Sequence, residues 1–123
     1  MTVLKGNIPS MELENIDQLP VFDEESTANM RSMLGDEFDQ IVNEFIDTTP
    51  PLIEALSLAI EQGDKEQIIG VSHRLKSGSA NLGMMAFSTV CKYIEENMRN
   101  GDDVDLHHSL SLLVQQFARI KSH

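Results

Sequence analysis

The chain has 123 residues, a formal net charge of −11 and a sequence pI near 4.5. That length fits one domain around one core, and so acidic a surface argues against nucleic acid or an anionic membrane as a partner. Apolar residues make up 41% of the chain but tryptophan is absent, so Leu, Ile and Met must supply most of the core, as is common in helical bundles.

Residues 1–20 read as a tail or a loosely docked arm, because Pro9 and Pro20 interrupt them and no helical stripe holds for long. The N-terminus carries one lysine and no continuous apolar run of the secretory-signal kind. Nowhere does an apolar run approach the ~20 residues needed to span a bilayer. A soluble, cytoplasmic, monomeric protein is expected. The single cysteine, Cys91, cannot form an internal disulfide and falls on an apolar stripe, so it reads as a buried thiol.

A bundle domain is expected over residues 21–123. Asp23 is placed to cap a short first helix running to about Leu34, where Gly35 stops it. Asp36 should cap a long second helix with the stripe Phe38, Ile41, Val42, Phe45, Ile46, Leu52, Ile53, Leu56 and Ile60. Pro50-Pro51 interrupts this stripe, which resumes in phase, so a kink or two helical pieces end to end are expected rather than a loop.

Gly63-Asp64 reads as a stop followed by a new cap, and a third helix covers about Lys65 to Leu82, ended by Gly83. A fourth runs from about Met85 to Arg99 with Phe87, Val90, Cys91, Ile94 and Met98 inward. After the turn Asn100-Gly101-Asp102-Asp103, a fifth runs from about Val104 to Lys121 with Leu106, Leu110, Leu113, Phe117 and Ile120 inward. No strand pattern competes. Short connections between long amphipathic helices predict an all-α fold: an antiparallel up-down four-helix bundle with the short first helix packed across one end.

The third helix carries the most informative residue, His73. At about 100° per residue, Ile68, Val71, Ser72, Leu75, Ser79 and Leu82 share one face. His73 lies nearly opposite Leu75 and points outward, beside Ile69, Lys76, Ser77 and Ala80, with Gly70 close by. Small neighbours leave the ring open to a large partner. Although the chain has 20 acidic residues, none occurs from Gln67 through Ile94, a window that holds Arg74, Lys76 and Lys92. A phosphoryl group needs that local bias, since carboxylates beside it would repel it and an ammonium one turn away would attract it, by about 0.5 kcal/mol or less.

A neutral imidazole suits reversible phosphoryl transfer because it is nucleophilic near neutral pH without a neighbouring base. Serine normally needs such a base. No second His, Asp or Glu within the motif is placed to orient or deprotonate the ring, which favours a carrier over a complete enzyme. Gly78 reads as a helix-packing residue, and Ser72 and Ser79 as small core-face residues.

The segment His73-Arg74-Leu75-Lys76-Ser77-Gly78-Ser79-Ala80-Asn81-Leu82-Gly83 resembles the signature of histidine-containing phosphotransfer domains, His-x-Leu-Lys-Gly-Ser-Ser-Ala-x-Leu-Gly. Phe22-Asp23, the Leu34-Gly35-Asp36-Glu37-Phe38 junction, Thr49-Pro50 and Gly63-Asp64 are similar to that family's pattern as well. The likeness covers residues 20–121. One departure is Ser77, where the family usually has glycine.

The resemblance implies a stand-alone phosphorelay carrier in two-component signalling of the bacterial type. His73 would accept a phosphoryl group from the aspartate of one receiver domain, in a hybrid sensor kinase, and pass it to another, in a response regulator. Lys76 would stand beside the phosphohistidine, and Nε2 would be the nitrogen modified. The chain itself would need no cofactor, since the receiver supplies the acidic pocket and Mg²⁺. Receiver contacts would centre on Ile69, Gly70, Arg74, Ser77 and Ala80, with the partner's helix against the second and third helices.

Other features have plainer explanations. Asp105 and His108 have the spacing of a metal pair, but the further ligand sets of a di-metal bundle are missing, so His107 and His108 read as solvated. Asp102, Asp103 and Asp105 lack the twelve-residue calcium-loop pattern and read as a turn with a cap. Tyr93 reads as a boundary residue with its hydroxyl in water. An inhibitory module that binds a receiver without being phosphorylated is the first alternative, and a receiver phosphatase using Asn81 or Gln67 the second.

Overall fold

The structure is a computed structural model and describes residues 13–123. A 3₁₀ turn at Ile16–Gln18 precedes five helices: α1 (Glu24–Leu34), α2 (Asp36–Gln62), α3 (Lys65–Asn81), α4 (Met85–Asn100) and α5 (Leu106–Lys121). No strand occurs among the described residues. The fold is all-α, and each long helix packs on its sequence neighbour, with α5 returning to α2.

Turn chemistry sets the reversals. Gly63 and Gly101 end α2 and α4 with left-handed backbones, at φ 66° and 75°, where a Cβ would be strained. Asp23 and Asp64 accept from the backbone N–H groups of Ser26 and Gln67, at 3.0 and 3.3 Å, and so start α1 and α3. Hydrogen bonds from the Ser26 hydroxyl and then its backbone hold Asp23 below the usual carboxylate pKa range. Asp105 caps α5 in the same way by accepting from His108 N–H at 3.0 Å, so that helix begins at Leu106 rather than Val104. Asp36 is not a cap: the position belongs to Gly35, and Asp36 is the first residue of α2.

Helix α2 runs unbroken through Pro50 and Pro51, neither in two pieces nor interrupted. Two missing N–H groups leave only the carbonyls of Ile46 and Asp47 without helical donors. Both prolines and Asp47 lie on the exposed side, where water can serve. The apolar stripe on the other side keeps its phase and holds the helix on the core through Phe38, Leu56, Ala59 and Ile60. Ile41, expected inward, is exposed at the stripe's edge.

The core joins Phe38, Leu56, Ile68, Leu75, Phe87, Ile94, Leu113 and Phe117. Phe45 meets Phe87 edge-on, with centroids 5.6 Å apart. The Cys91 thiol is fully buried, and burial pushes its pKa far up. Tyr93 is only 8% exposed, so it is a core residue of α4 rather than a boundary one.

At one end, α1 and its lead-in meet the α3–α4 turn and the end of α5. Asp23 N–H donates to Gly83 O at 2.7 Å, and Phe22 packs against the His123 ring at 5.0 Å. This places the start of α2, the end of α3, the start of α4 and the end of α5 together, as an up-down antiparallel arrangement requires. Of the expected tail, residues 1–12 lie outside the described residues. Residues 13–19 dock on the bundle and bury Leu13 and Ile16.

Candidate functional site

Helix α3 is anchored by Ile68, Val71, Ser72, Leu75 and Ser79, all buried. The two serines cost little there, because their hydroxyls donate back to the carbonyls of Ile68 and Leu75, at 2.6 and 2.7 Å. Small and locally satisfied, they suit the helix pair α3–α4, the most extensive contact in the bundle. Gly78 is not required by crowding: an added Cβ would stand 3.7 Å from the Phe45 ring, an ordinary contact.

With that face buried, His73 emerges on the other side, its side chain 52% exposed. Gly70, Arg74 and Ala80 are exposed beside it, and Ile69, Ser77 and Lys76 are half-buried. Nothing lies within 4 Å of where a Gly70 Cβ would be, so the surface is open on that side. All the residues expected around the imidazole therefore share one surface of α3. Arg74 is the farthest from His73 around the helix.

The residue that sequence reasoning missed is Glu95. Its side chain is 4% exposed, and Oε2 lies 3.0 Å from His73 Nδ1. Lys76 Nζ lies 2.7 Å from Oε1, and Arg99 places Nε and Nη2 each 2.9 Å from Oε2. Burial, the largest single influence, raises the Glu95 pKa. Hydrogen bonds from Lys76, Arg99 and His73 together outweigh it, so the carboxyl is held below its usual range.

The motif itself holds no acid, as expected, but one reaches the imidazole from another helix. The acid-free window ends at Ile94, one residue short, and the α3–α4 reversal brings the next residue to the ring. One signal was present in the sequence. Glu95 stands four residues after Cys91 on the inward stripe of α4, and a carboxylate on an inward face needs partners.

Lys76 is thus an ion-pair partner of Glu95. His107, His108 and His123 are exposed and far along the chain from this centre. Among the described residues, no group of three or more His, Cys, Asp and Glu side chains could hold a metal ion. None of the described helices is long and apolar enough to cross a membrane.

The site is thus an exposed imidazole backed by a carboxylate and two cations, with small side chains beside it, and comparison with known proteins names the class of the chain. The model of the Hpt domain family matches residues 40–123, and the chain belongs to that family of phosphotransfer carriers, which work with receiver domains in phosphorelays. Among solved structures, the fold is similar to histidine-containing phosphotransfer protein B from Pseudomonas aeruginosa PAO1, with a TM-score of 0.78 and 23% identity, covering 84% of this chain and 90% of that one. No curated protein matches.

Proposed function

We propose that this chain is a stand-alone phosphorelay carrier, with His73 as its phosphoryl acceptor. The observation that carries the reading is the half-exposed His73 ring on the packed helix α3, in a chain of the Hpt family. Nδ1 faces Glu95. Nε2 is the nitrogen left to attack the phosphorus of a receiver's aspartyl phosphate. The N–P bond forms as the P–O bond to the aspartate breaks, and the aspartate leaves as a carboxylate.

This chain's contribution is position. A rigid helix presents the ring to the incoming acyl phosphate, and the receiver brings its acidic pocket and Mg²⁺. Lys76, one turn from His73, lowers the energy of the phosphoryl group there, helped by the exposed cation Arg74. Ile69, Gly70, Ser77 and Ala80 form the contact surface, low enough in relief for a receiver helix to approach. Donor and acceptor are the receivers of a hybrid sensor kinase and of a response regulator, and the setting is the cytoplasm.

The test is phosphoryl transfer from a panel of phosphorylated receiver domains to the native protein and to His73→Gln. Acid-labile, alkali-stable label on the native protein alone is the expected result. Tight binding to a receiver with no label transferred would replace the carrier with an inhibitory module.

A further inference from the structure

The carboxylate under the imidazole has a consequence for how tightly the carrier holds its cargo. Glu95 is ionised, since its ion pairs with Lys76 and Arg99 hold its carboxyl below the usual range, and an ionised carboxylate only accepts. In the neutral form that acts as a nucleophile, the His73 ring, 3.0 Å away, therefore carries its proton on Nδ1. That fixes the tautomer with the Nε2 lone pair outward.

Attack through Nε2 then needs no proton to move. The neutral ring and a dianionic aspartyl phosphate become a free carboxylate and an Nε2-phosphoryl imidazolium that keeps Nδ1–H. Charge balances, and the ring changes from neutral to cationic. The group that meets this new positive charge is Glu95, buried and held by Lys76 Nζ at 2.7 Å and Arg99 Nη2 at 2.9 Å.

We infer that Glu95 is a positioning residue that sets the balance of the phosphoryl group between His73 and the receiver aspartate. The inference rests on the proposed acceptor role of His73. The Glu95 charge lies on the Nδ1 side, against the ring that turns cationic and a ring's width from the phosphoryl group on Nε2. Attraction to the imidazolium therefore outweighs repulsion of the phosphoryl oxygens and favours the phosphorylated ring; a neutral residue in the same place would favour the receiver. Lys76 and Arg99 serve the same end by keeping the carboxylate charged and in place.

The experiment compares native protein, Glu95→Gln and Glu95→Ala. A glutamine carbonyl oxygen still accepts from Nδ1–H, so Glu95→Gln keeps the tautomer and removes the charge. Its transfer equilibrium with one phosphorylated receiver should shift about tenfold toward the receiver, the effect of one pKa unit of lost stabilisation. Nitrogen-15 spectra of the unphosphorylated proteins should show Nδ1–H on His73 in native protein and Glu95→Gln, and a mixture of tautomers in Glu95→Ala.

An unchanged equilibrium in a folded Glu95→Gln would overturn the inference, as would an Nε2–H tautomer in native protein. If no receiver labels His73 at all, the acceptor reading fails while the tautomer result still stands or falls by itself. Helical circular dichroism and the melting temperature check folding. If Glu95→Gln does not fold, Glu95→Asp keeps the charge and withdraws it from Nδ1 by one methylene, and should shift the equilibrium the same way by less; no shift there overturns the inference.

Discussion

Two buried polar side chains, Glu95 on α4 and Gln116 on α5, sit in similar surroundings and serve different ends. Each is almost fully covered, and each gathers partners from separate parts of the chain. Gln116 donates to Asp17 at 2.8 Å and accepts from Arg119 at 2.6 Å, while Arg119 also donates to Leu19 O at 3.1 Å. This centre, where Arg119 and Asp17 also form a partly exposed ion pair at 3.8 Å around the neutral amide, pins residues 17–19 to the bundle and does not touch His73. Glu95 gathers Lys76, Arg99 and His73, and the last of these is the half-exposed ring proposed as the phosphoryl acceptor. Burying an amide requires only that its hydrogen bonds be made, whereas burying a charge requires opposite charges. Those opposite charges are also what a phosphoryl group needs nearby.

The sharpest way to break this contrast is to remove the proposed acceptor. His73→Gln should keep the helical spectrum and abolish phosphoryl acceptance, and label on that variant would show that another residue is the acceptor. Next in size is a block on the surface beside it. Ser77→Trp should slow transfer from a receiver by about tenfold or more, by a clash built into one face, with an unchanged melting temperature. A variant that unfolds instead would show that Ser77 is not on the docking face.

Gln116→Ala should do the reverse. It should cost about 1–2 kcal/mol in denaturant unfolding through lost hydrogen bonds, with transfer at the native rate. A transfer defect there would join the two centres. Lys76→Ala is expected to slow transfer by roughly a factor of two, in keeping with about 0.5 kcal/mol for opposite charges one helical turn apart. An unchanged rate and phosphohistidine lifetime would leave Lys76 a partner of Glu95 alone.

The smallest effect concerns acid. The Glu95 pKa is lowered in the folded protein, so its contribution to stability is present above the ordinary glutamate value of 4.5 and is lost as pH falls through the folded value. Lys76, Arg99 and His73 face it from α3 and α4, and the buried Cys91 thiol lies one turn before it on its own helix. Melting temperatures of native protein and Glu95→Gln should converge below pH 4.5. A constant difference down to lower pH would mean that the pairing does not favour the charged carboxyl.

The helices were legible because their apolar stripes hold phase and glycines close them. Even Pro50-Pro51 left α2 intact, since the stripe resumes in register on the buried side. Docking of residues 13–19 was not legible: Leu13 and Ile16 are two apolar residues without a repeating stripe, and the long-range partners Gln116 and Arg119 supply the rest. His73, Lys76 and their small neighbours could be read locally because a single helix carries them. Glu95 could not be read within the motif, since only the reversal between α3 and α4 brings it to the ring. A stripe that includes an acid should be read as a demand for cations, and Lys76 and Arg99 meet it here.

The central claim is that His73 carries the phosphoryl group on Nε2, and nitrogen-15 spectra of its ring before and after transfer from a receiver test this directly. The account predicts a shift at Nε2 of His73, with Nδ1 still protonated and no change at His107, His108 or His123. Phosphorylation at one of those three, or at Nδ1 of His73, would contradict it.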